Sequence, residues 1–581
     1  MRFSISTLSN DKKQVLYQIL FLILVVLVVY SRAITGTIVT IDDSGIMKFY
    51  GSEKLTLLDV LRPGEGYYYR PVTALSFYLD YRLLGQNPIW MHLENILIHT
   101  SNAVLVYLLA SRFLFGAAKA LPLVAALAFA VHPVNSEAVS WIAGRTDPLA
   151  ALFVLLSALS LLKGLDTGKI RHTILSVLFL AAGVMTKETA ILFIPASLLL
   201  VTAWRHLRPG VSLDAVKLQG RVLGLVYIGI SLVVGALLLS RSGAHNSVAK
   251  LFGGSTNDLW GSVLLCLRLF GFYLKKLFVP WPLNFAITEV AAWYLIPAAA
   301  GVLFLIFAPK RNIRYISICM GLMFLLPALV VGVCDVAWTV VAERYLYIPS
   351  AFICIGLTGY LAGTAERMRL QRLSVPVFYL CIAAAAQSTV HRTGTWQSNL
   401  ALFQDAVAKT PDFGVLRNEL ASALAREGRI AEASAELDVA SSLDLSHMVK
   451  MMVRRNRLLI SIEKETPEER RRQLNLYGWD NLKEDGELLT LLRRNDYLVM
   501  EKLPAGPQKE ALVSEMVRVS ERLFQITGEP LLLYNSGQLL LTLGDEREAH
   551  SYFSRCVEAA PDGVYYKSAS RKMVAKLGGR I

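Results

Sequence analysis

Residues Val15 to Asp43 read VLYQILFLILVVLVVYSRAITGTIVTIDD, and two features of that stretch decide what kind of molecule this is. The first is the uncharged apolar run that ends at Tyr30, with Lys12 and Lys13 just before it. Such a run reads as a membrane span, and the two lysines hold its start on the cytoplasmic side. No small-residue cleavage site follows, so Val15 to Tyr30 is expected to be a retained signal anchor. The second feature is Asp42-Asp43. An ionised carboxylate costs about 2.5–3.5 kcal/mol at a bilayer centre, so the pair marks emergence into the first non-cytoplasmic loop. Taken alone, Asp42-Asp43-Ser44-Gly45 is ordinary turn chemistry. Beside a membrane the same residue types also suit catalysis: one carboxylate as a general base for an acceptor hydroxyl, the other orienting it or holding magnesium or manganese.

Working outward, the chain has 581 residues, of which 54% are hydrophobic. Its mean hydropathy of +0.46 is too high for a soluble protein of this length. The net charge of +14 sits largely in short clusters between apolar runs. That is the positive-inside pattern and no sign of a nucleic-acid partner. Five of the six cysteines lie in or beside apolar segments, and no CxxC occurs, so no disulfide framework is expected.

The apolar runs up to about Val390 predict about eleven spans. The segment from Ser44 to Gln86, with Tyr67-Tyr68-Tyr69-Arg70-Pro71, is too polar to cross and is expected along the interface. The third span is broken at His132-Pro133 and should be kinked there. A seventh span is expected to end near Leu239. Residues Leu259 to Val279 are taken as an interfacial or re-entrant helix with Arg268, Lys275 and Lys276 on its polar face, because that parity keeps every later basic cluster inside. The last span, Pro376 to Val390, then exits on the side of Asp42 and Asp43. The expected fold is therefore all-α: a membrane domain over 1–391, with a first external loop at about 31–89, and a non-cytoplasmic soluble helical domain over 392–581.

With that topology the unusual polar residues gather at the outer ends of spans: His92, Asn95 and His99; His132, Glu137, Arg145 and Asp147; Lys187 and Glu188; Glu343 and Arg344. Each has a plain structural reading, a satisfied histidine or a local Lys187–Glu188 ion pair. Acids and bases from five loops on one face instead point to a site, because ionisable groups at a membrane edge are costly to keep. His92 and His99 as metal ligands are the weaker reading.

Tyr69-Arg70-Pro71-Val72-Thr73 with Leu75-Ser76-Phe77, His92-Leu93-Glu94-Asn95, His99, His132-Pro133 with Glu137, Gly144-Arg145-Thr146-Asp147, Thr186-Lys187-Glu188-Thr189-Ala190 and Glu343-Arg344-Tyr345-Leu346-Tyr347-Ile348-Pro349 together carry a resemblance. The set resembles the transmembrane and tetratricopeptide-repeat (TMTC-type) O-mannosyltransferases and their bacterial relatives, within the C-type (GT-C) glycosyltransferases. The resemblance implies a multi-span fold with an acidic motif in the first external loop and a polyprenyl-phosphate sugar as donor. Asp42-Asp43 matches that motif by position. It implies Asp42 or Asp43 as the base, and Arg70, Arg145, Lys187, Arg344 and Tyr345 among the groups at the donor, with Arg344 first because a guanidinium grips phosphate with two donors.

Beyond the spans, Gly537, Gly544, Ala549, Phe553 and Pro561 fall at tetratricopeptide-repeat spacing, and Ala421, Leu424, Gly428, Ala433, Leu437 and Ala440 match an earlier unit. Residues 448–528 are helical by pattern but do not fall into register. Stacked repeats expose a concave face suited to an extended acceptor polypeptide. The expected activity is transfer of mannose or another hexose to a protein or glycan hydroxyl. The chain has no Asn-x-Ser/Thr sequon, in keeping with a periplasmic face of a bacterial inner membrane; in a eukaryote the same face would be the ER lumen. A non-catalytic, membrane-anchored repeat scaffold would need neither so many spans nor charges at so many of their ends. A transporter would carry ionisable groups at mid-span and two matching halves, and no such duplication is visible.

Overall fold

The computed structural model describes residues 9–52, 55–62, 69–85, 87–114, 118–207, 259–308, 313–333, 341–443 and 446–578, with positions 220, 224, 229 and 339 besides. The expected seventh span and the cluster Lys310-Arg311-Asn312 lie outside them. The described residues are helical; the one β feature among them is an isolated bridge between Ile287 and Val341. The chain divides into two compact units, Met1–Ala423 and Leu424–Ile581.

In the first unit, five described helices are long and apolar enough to cross a membrane: Asn10–Val29, Pro88–Phe113, Ala143–Thr167, Ile313–Val330 and Glu343–Arg367. Leu121–Ala130 with Pro133–Ser140 is a sixth if the bent pair is one span. Its 45° bend falls at His132-Pro133, where proline removes a backbone donor and crowds the preceding turn. Three expected spans appear as shorter apolar helices, Ile170–Thr186, Glu188–Val201 and Ala292–Phe307. The helix Gln371–Thr395 covers the expected last span, Pro376 to Val390.

The core of this unit is built by Pro88–Phe113, the bent pair, Thr146–Thr167 and Tyr347–Arg367, whose Ala, Val and Leu side chains interdigitate around Tyr107, Phe129 and Phe352. Pro88 starts the first of these at a position where its missing N–H costs nothing, and the Asn87 side chain accepts from the Ile89 amide at 3.0 Å. The loop expected at the interface folds into short helices, Asp43–Tyr50, Leu57–Leu61 and Pro71–Leu84. The last of these packs on Ile170–Thr186, and the Thr73 hydroxyl donates to the Thr186 carbonyl at 2.9 Å.

One assignment needs correcting. Leu259–Phe278 is a helix, as expected, but Lys276 does not lie on a solvated polar face: it is buried and its ammonium pairs with Glu343 at 2.6 Å. The attraction of the enclosed carboxylate offsets the desolvation cost that would otherwise keep the lysine at the interface.

The second unit is a run of helices in which neighbours pack in succession, from His447–Ile462 through Pro467–Tyr477, Gly486–Lys502 and Pro507–Thr527 to Leu531–Thr542, Glu546–Ala559 and Tyr565–Gly578. The C-terminal motif falls on the helix pair Leu531–Thr542 and Glu546–Ala559. Gly544 takes φ +77° between two helices, and Asp545 caps the second by accepting from the Glu548 amide at 2.9 Å. Gly537 faces Phe553 so closely that a Cβ there would sit 2.8 Å from the ring. Gly537→Ala is therefore expected to cost about 1–3 kcal/mol and to speed proteolysis of the full-length chain within 507–578. An unchanged cleavage rate would show that the ring simply turns aside.

Candidate functional site

The Asp42-Asp43 pair stands at the start of the Asp43–Tyr50 helix, and the two carboxylates have different surroundings. Asp43 is fully buried. Its Oδ2 accepts from the Val39 amide at 3.0 Å and its Oδ1 from the Ala143 amide at 2.9 Å. It thereby ties the first external loop to the turn preceding Thr146–Thr167. Burial pushes the Asp43 carboxyl up to about 7, against the pull of those two amides, and the neighbouring Asp42 adds to the rise. Asp42 is exposed, and its carboxylate has no hydrogen-bond partner among the described residues. Desolvation by the surrounding protein raises its pKa too, offset in part by the charge of Arg344.

The sign for Asp43 follows from linkage. The folded state holds its proton up to about 7 whereas the unfolded chain releases it near 3.8, so this carboxyl stabilises the fold fully at low pH and that contribution is lost as pH rises through about 7. The thermal midpoint of the wild type should fall over that window, and the fall should be smaller in Asp43→Asn. That variant should also be less stable at every pH, because an amide offers one acceptor where two amide donors converge. Parallel pH profiles for the two proteins would contradict this assignment.

Around Asp42 the structure assembles cations. Arg344 pairs with Glu137 at 2.8 Å, and its guanidinium lies over the rings of Trp141 at 5.2 Å and Tyr345 at 5.3 Å. Its side chain keeps 20% of its surface exposed, whereas that of Glu137 keeps 2%, so the open edge belongs to the cation. Lys187 sits over the same Tyr345 ring at 5.1 Å and pairs with Asp147 at 2.6 Å. Lys187 and Glu188 are not partners. Glu188 instead meets Arg70 through two bonds, 3.0 Å from Nε and 2.5 Å from the terminal nitrogen. Asp147 and Tyr345 also line a small cavity with Thr189, Phe324 and Pro349. Asp42, Arg70, Glu137, Asp147, Lys187, Glu188, Glu343, Arg344 and Tyr345 thus belong to one connected region, Glu343 joining through its buried pair with Lys276.

The other expected residues make contacts within the fold. Arg145 is completely buried, and its guanidinium is held by Asn95 at 2.8 Å, Asp80 at 2.5 Å, Glu94 at 3.0 Å and the Met91 carbonyl at 3.2 Å. It fastens Pro71–Leu84 to Pro88–Phe113. His99 bonds the Tyr347 hydroxyl at 2.6 Å and the Ala130 carbonyl at 2.9 Å within the core. His132 reaches the Leu277 carbonyl at 3.0 Å. His92 packs against Gly36, where a Cβ would come within 3.1 Å of its ring. No group of three His, Cys, Asp or Glu converges among the described residues in a way that could hold a metal ion. Both Asp43 oxygens accept amides, and no step below runs through a metal.

Three features were missed in the sequence. Lys276 reaches Glu343. Trp141, Phe285 and Trp396 form a buried aromatic wall, with Trp141 stacked on Trp396 at 6.2 Å. Residues 397–419 bond to the Asp42 loop. The Lys275-Lys276 doublet in an apolar helix and the three large aromatics were visible signals; their partners were not.

Comparison with known proteins finds similarity across this region. The pattern of the dolichyl-phosphate-mannose-protein mannosyltransferase family matches residues 70–233, which include Arg70, the Arg145 network and Lys187-Glu188. Among individual proteins, the chain is 28% identical to the protein O-mannosyl-transferase TMTC4 of Mus musculus over 422 residues, 62% of this chain and 56% of that protein. It is 26% identical to TMTC3 of the same species over 404 residues, 63% of this chain and 43% of that one. TMTC1 of Mus musculus matches 100 residues at 42% identity, covering 17% of this chain and 10% of its own. The TMTC resemblance read from the motifs therefore holds across about 60% of the sequence, while the chain spans about half the length of the first two relatives.

Proposed function

We propose that this protein is a membrane glycosyltransferase that moves mannose or another hexose from a polyprenyl phosphate to a hydroxyl of a protein or glycan. The observation that carries the reading is one unbonded carboxylate, Asp42, within electrostatic reach of a partly open guanidinium, Arg344, that shares the Tyr345 ring with Lys187. Asp42 takes the proton of the acceptor hydroxyl as its oxygen attacks the anomeric carbon. The bond from that carbon to the phosphate oxygen breaks, and its electron pair leaves with the polyprenyl phosphate. Arg344 and Lys187 stabilise the charge that grows there. Asp43, buried and tied to the Val39 and Ala143 amides, holds the loop, and the proton transfer is assigned to Asp42. Membrane placement suits such a donor, whose tail stays in the bilayer while its head group reaches the outer ends of the spans. The bonds from Thr40 to Asn399 and Glu419 support putting residues 397–419 on the same, non-cytoplasmic side as Asp42. This is the periplasm for a bacterial inner membrane and the lumen for an ER membrane. The helices that follow suit an acceptor polypeptide.

The test is donor binding by the purified full chain against a panel of short-chain polyprenyl-phosphate sugars. Arg344→Gln, which keeps hydrogen bonding to Glu137 but removes the charge, should weaken binding by tenfold or more. Donors that bind the wild type undetectably would contradict the proposal and favour a non-catalytic scaffold.

A further inference from the structure

The loop that carries Asp42 is held from outside the spans. Asn399, at the start of the Asn399–Lys409 helix, treats residues 38–40 as a strand partner would. Its Nδ2 donates to the Ile38 carbonyl at 2.8 Å and its Oδ1 accepts from the Thr40 amide at 3.1 Å. The Thr40 hydroxyl donates to Glu419 Oε2 at 2.7 Å, from the Gly414–Arg426 helix, and the Thr37 amide donates to the Gln397 carbonyl at 3.2 Å. Between the two positions that Asn399 grips stands Val39, whose amide is the donor to Asp43. A shift at Ile38 or Thr40 therefore moves the donor that fixes Asp43, and with it the adjoining Asp42. The cation side has the same support, because Arg344 lies over Trp141 and Trp141 stacks on Trp396.

We infer that the helices Asn399–Lys409 and Gly414–Arg426 complete the reaction centre: Asn399 and Glu419 are positioning residues that set Asp42 for proton transfer. This rests on the transferase reading and extends it, since the region read as a repeat-like acceptor module then also acts on the chemical step. Neither residue reaches the cations, so donor affinity does not depend on them.

The test compares steady-state transfer by full-length wild type, Thr40→Val, Asn399→Ala and Glu419→Ala, with Thr40→Ser and Glu419→Gln as variants that keep the donor and the acceptor. Expected are a tenfold or greater fall in kcat with donor KM within twofold in Thr40→Val, Asn399→Ala and Glu419→Ala, and recovery to within threefold of wild type in Thr40→Ser and Glu419→Gln. Thr40→Val combined with Glu419→Ala should lose no more than either alone, because both remove one hydrogen bond. Hydrogen exchange at Thr37 and Thr40 should speed up in Asn399→Ala. Wild-type kcat in the disruptive variants, a rise in KM in its place, or losses that the conservative variants fail to restore would overturn the inference and leave the transferase reading standing. A wild type that turns over no donor would sink that reading, and this inference with it.

Discussion

Asp42→Asn is expected to lower kcat for sugar transfer by about 10²- to 10⁴-fold, the range that a positioned general base supplies, while leaving donor binding unchanged. The asparagine keeps the size and polarity of the side chain and removes only its capacity to take a proton. Nothing structural should be lost with it, since the Asp42 carboxylate has no hydrogen-bond partner among the described residues and the helix it precedes shows no side-chain cap. Steady-state kinetics with the protein in nanodiscs checks this. Because desolvation by the surrounding protein raises the Asp42 pKa, residual wild-type activity should climb with pH as that carboxyl ionises. Wild-type kcat in Asp42→Asn would remove the base from the mechanism. Asp43→Asn should differ in kind, losing stability and, through misplacement of its neighbour, some rate.

The second large effect is on folding. Arg145→Met should destabilise the first unit by about 3–5 kcal/mol, the usual cost of stripping one partner from a buried ion pair. Asp80 would be left buried without its cation, and Asn95 would lose the donor to its side-chain oxygen. Against a typical total of about 5–15 kcal/mol, that loss takes much of the folded population. Arg145→Lys should recover part of it, since an ammonium restores charge but cannot fork to Asn95 and Asp80 together. The measurement is recovery of monodisperse protein and its thermal midpoint; a midpoint unchanged in Arg145→Met would show that the network is dispensable.

These two residues mark what a single sequence reveals. Asp42 and Arg145 both stood out as charged groups beside apolar runs, and the reason was sound, for such groups need partners or work. The division between the two outcomes was not visible. Arg70 and Glu188 lie 118 positions apart, and Thr40 and Glu419 lie 379 apart, so packing alone decides that they meet. The kink at His132-Pro133 and the Gly537–Phe553 approach were legible because proline and glycine act locally on the backbone. Lys276 was misplaced for the opposite reason: hydropathy treats a lysine as solvent-seeking, and a buried carboxylate supplied by Glu343 reverses that preference. The different fates of Asp42 and Asp43 depend on which of two adjacent side chains faces the Val39 and Ala143 amides. No residue pattern encodes that choice.

The most direct measurement of the central claim is consumption of radiolabelled polyprenyl-phosphate mannose and other hexose donors by the wild-type protein in nanodiscs, with membrane proteins from the source cell as acceptors. The account predicts release of polyprenyl phosphate matched by hexose on acceptor hydroxyls. Donor that remains intact across the panel, at the level of protein-free nanodiscs, would contradict it.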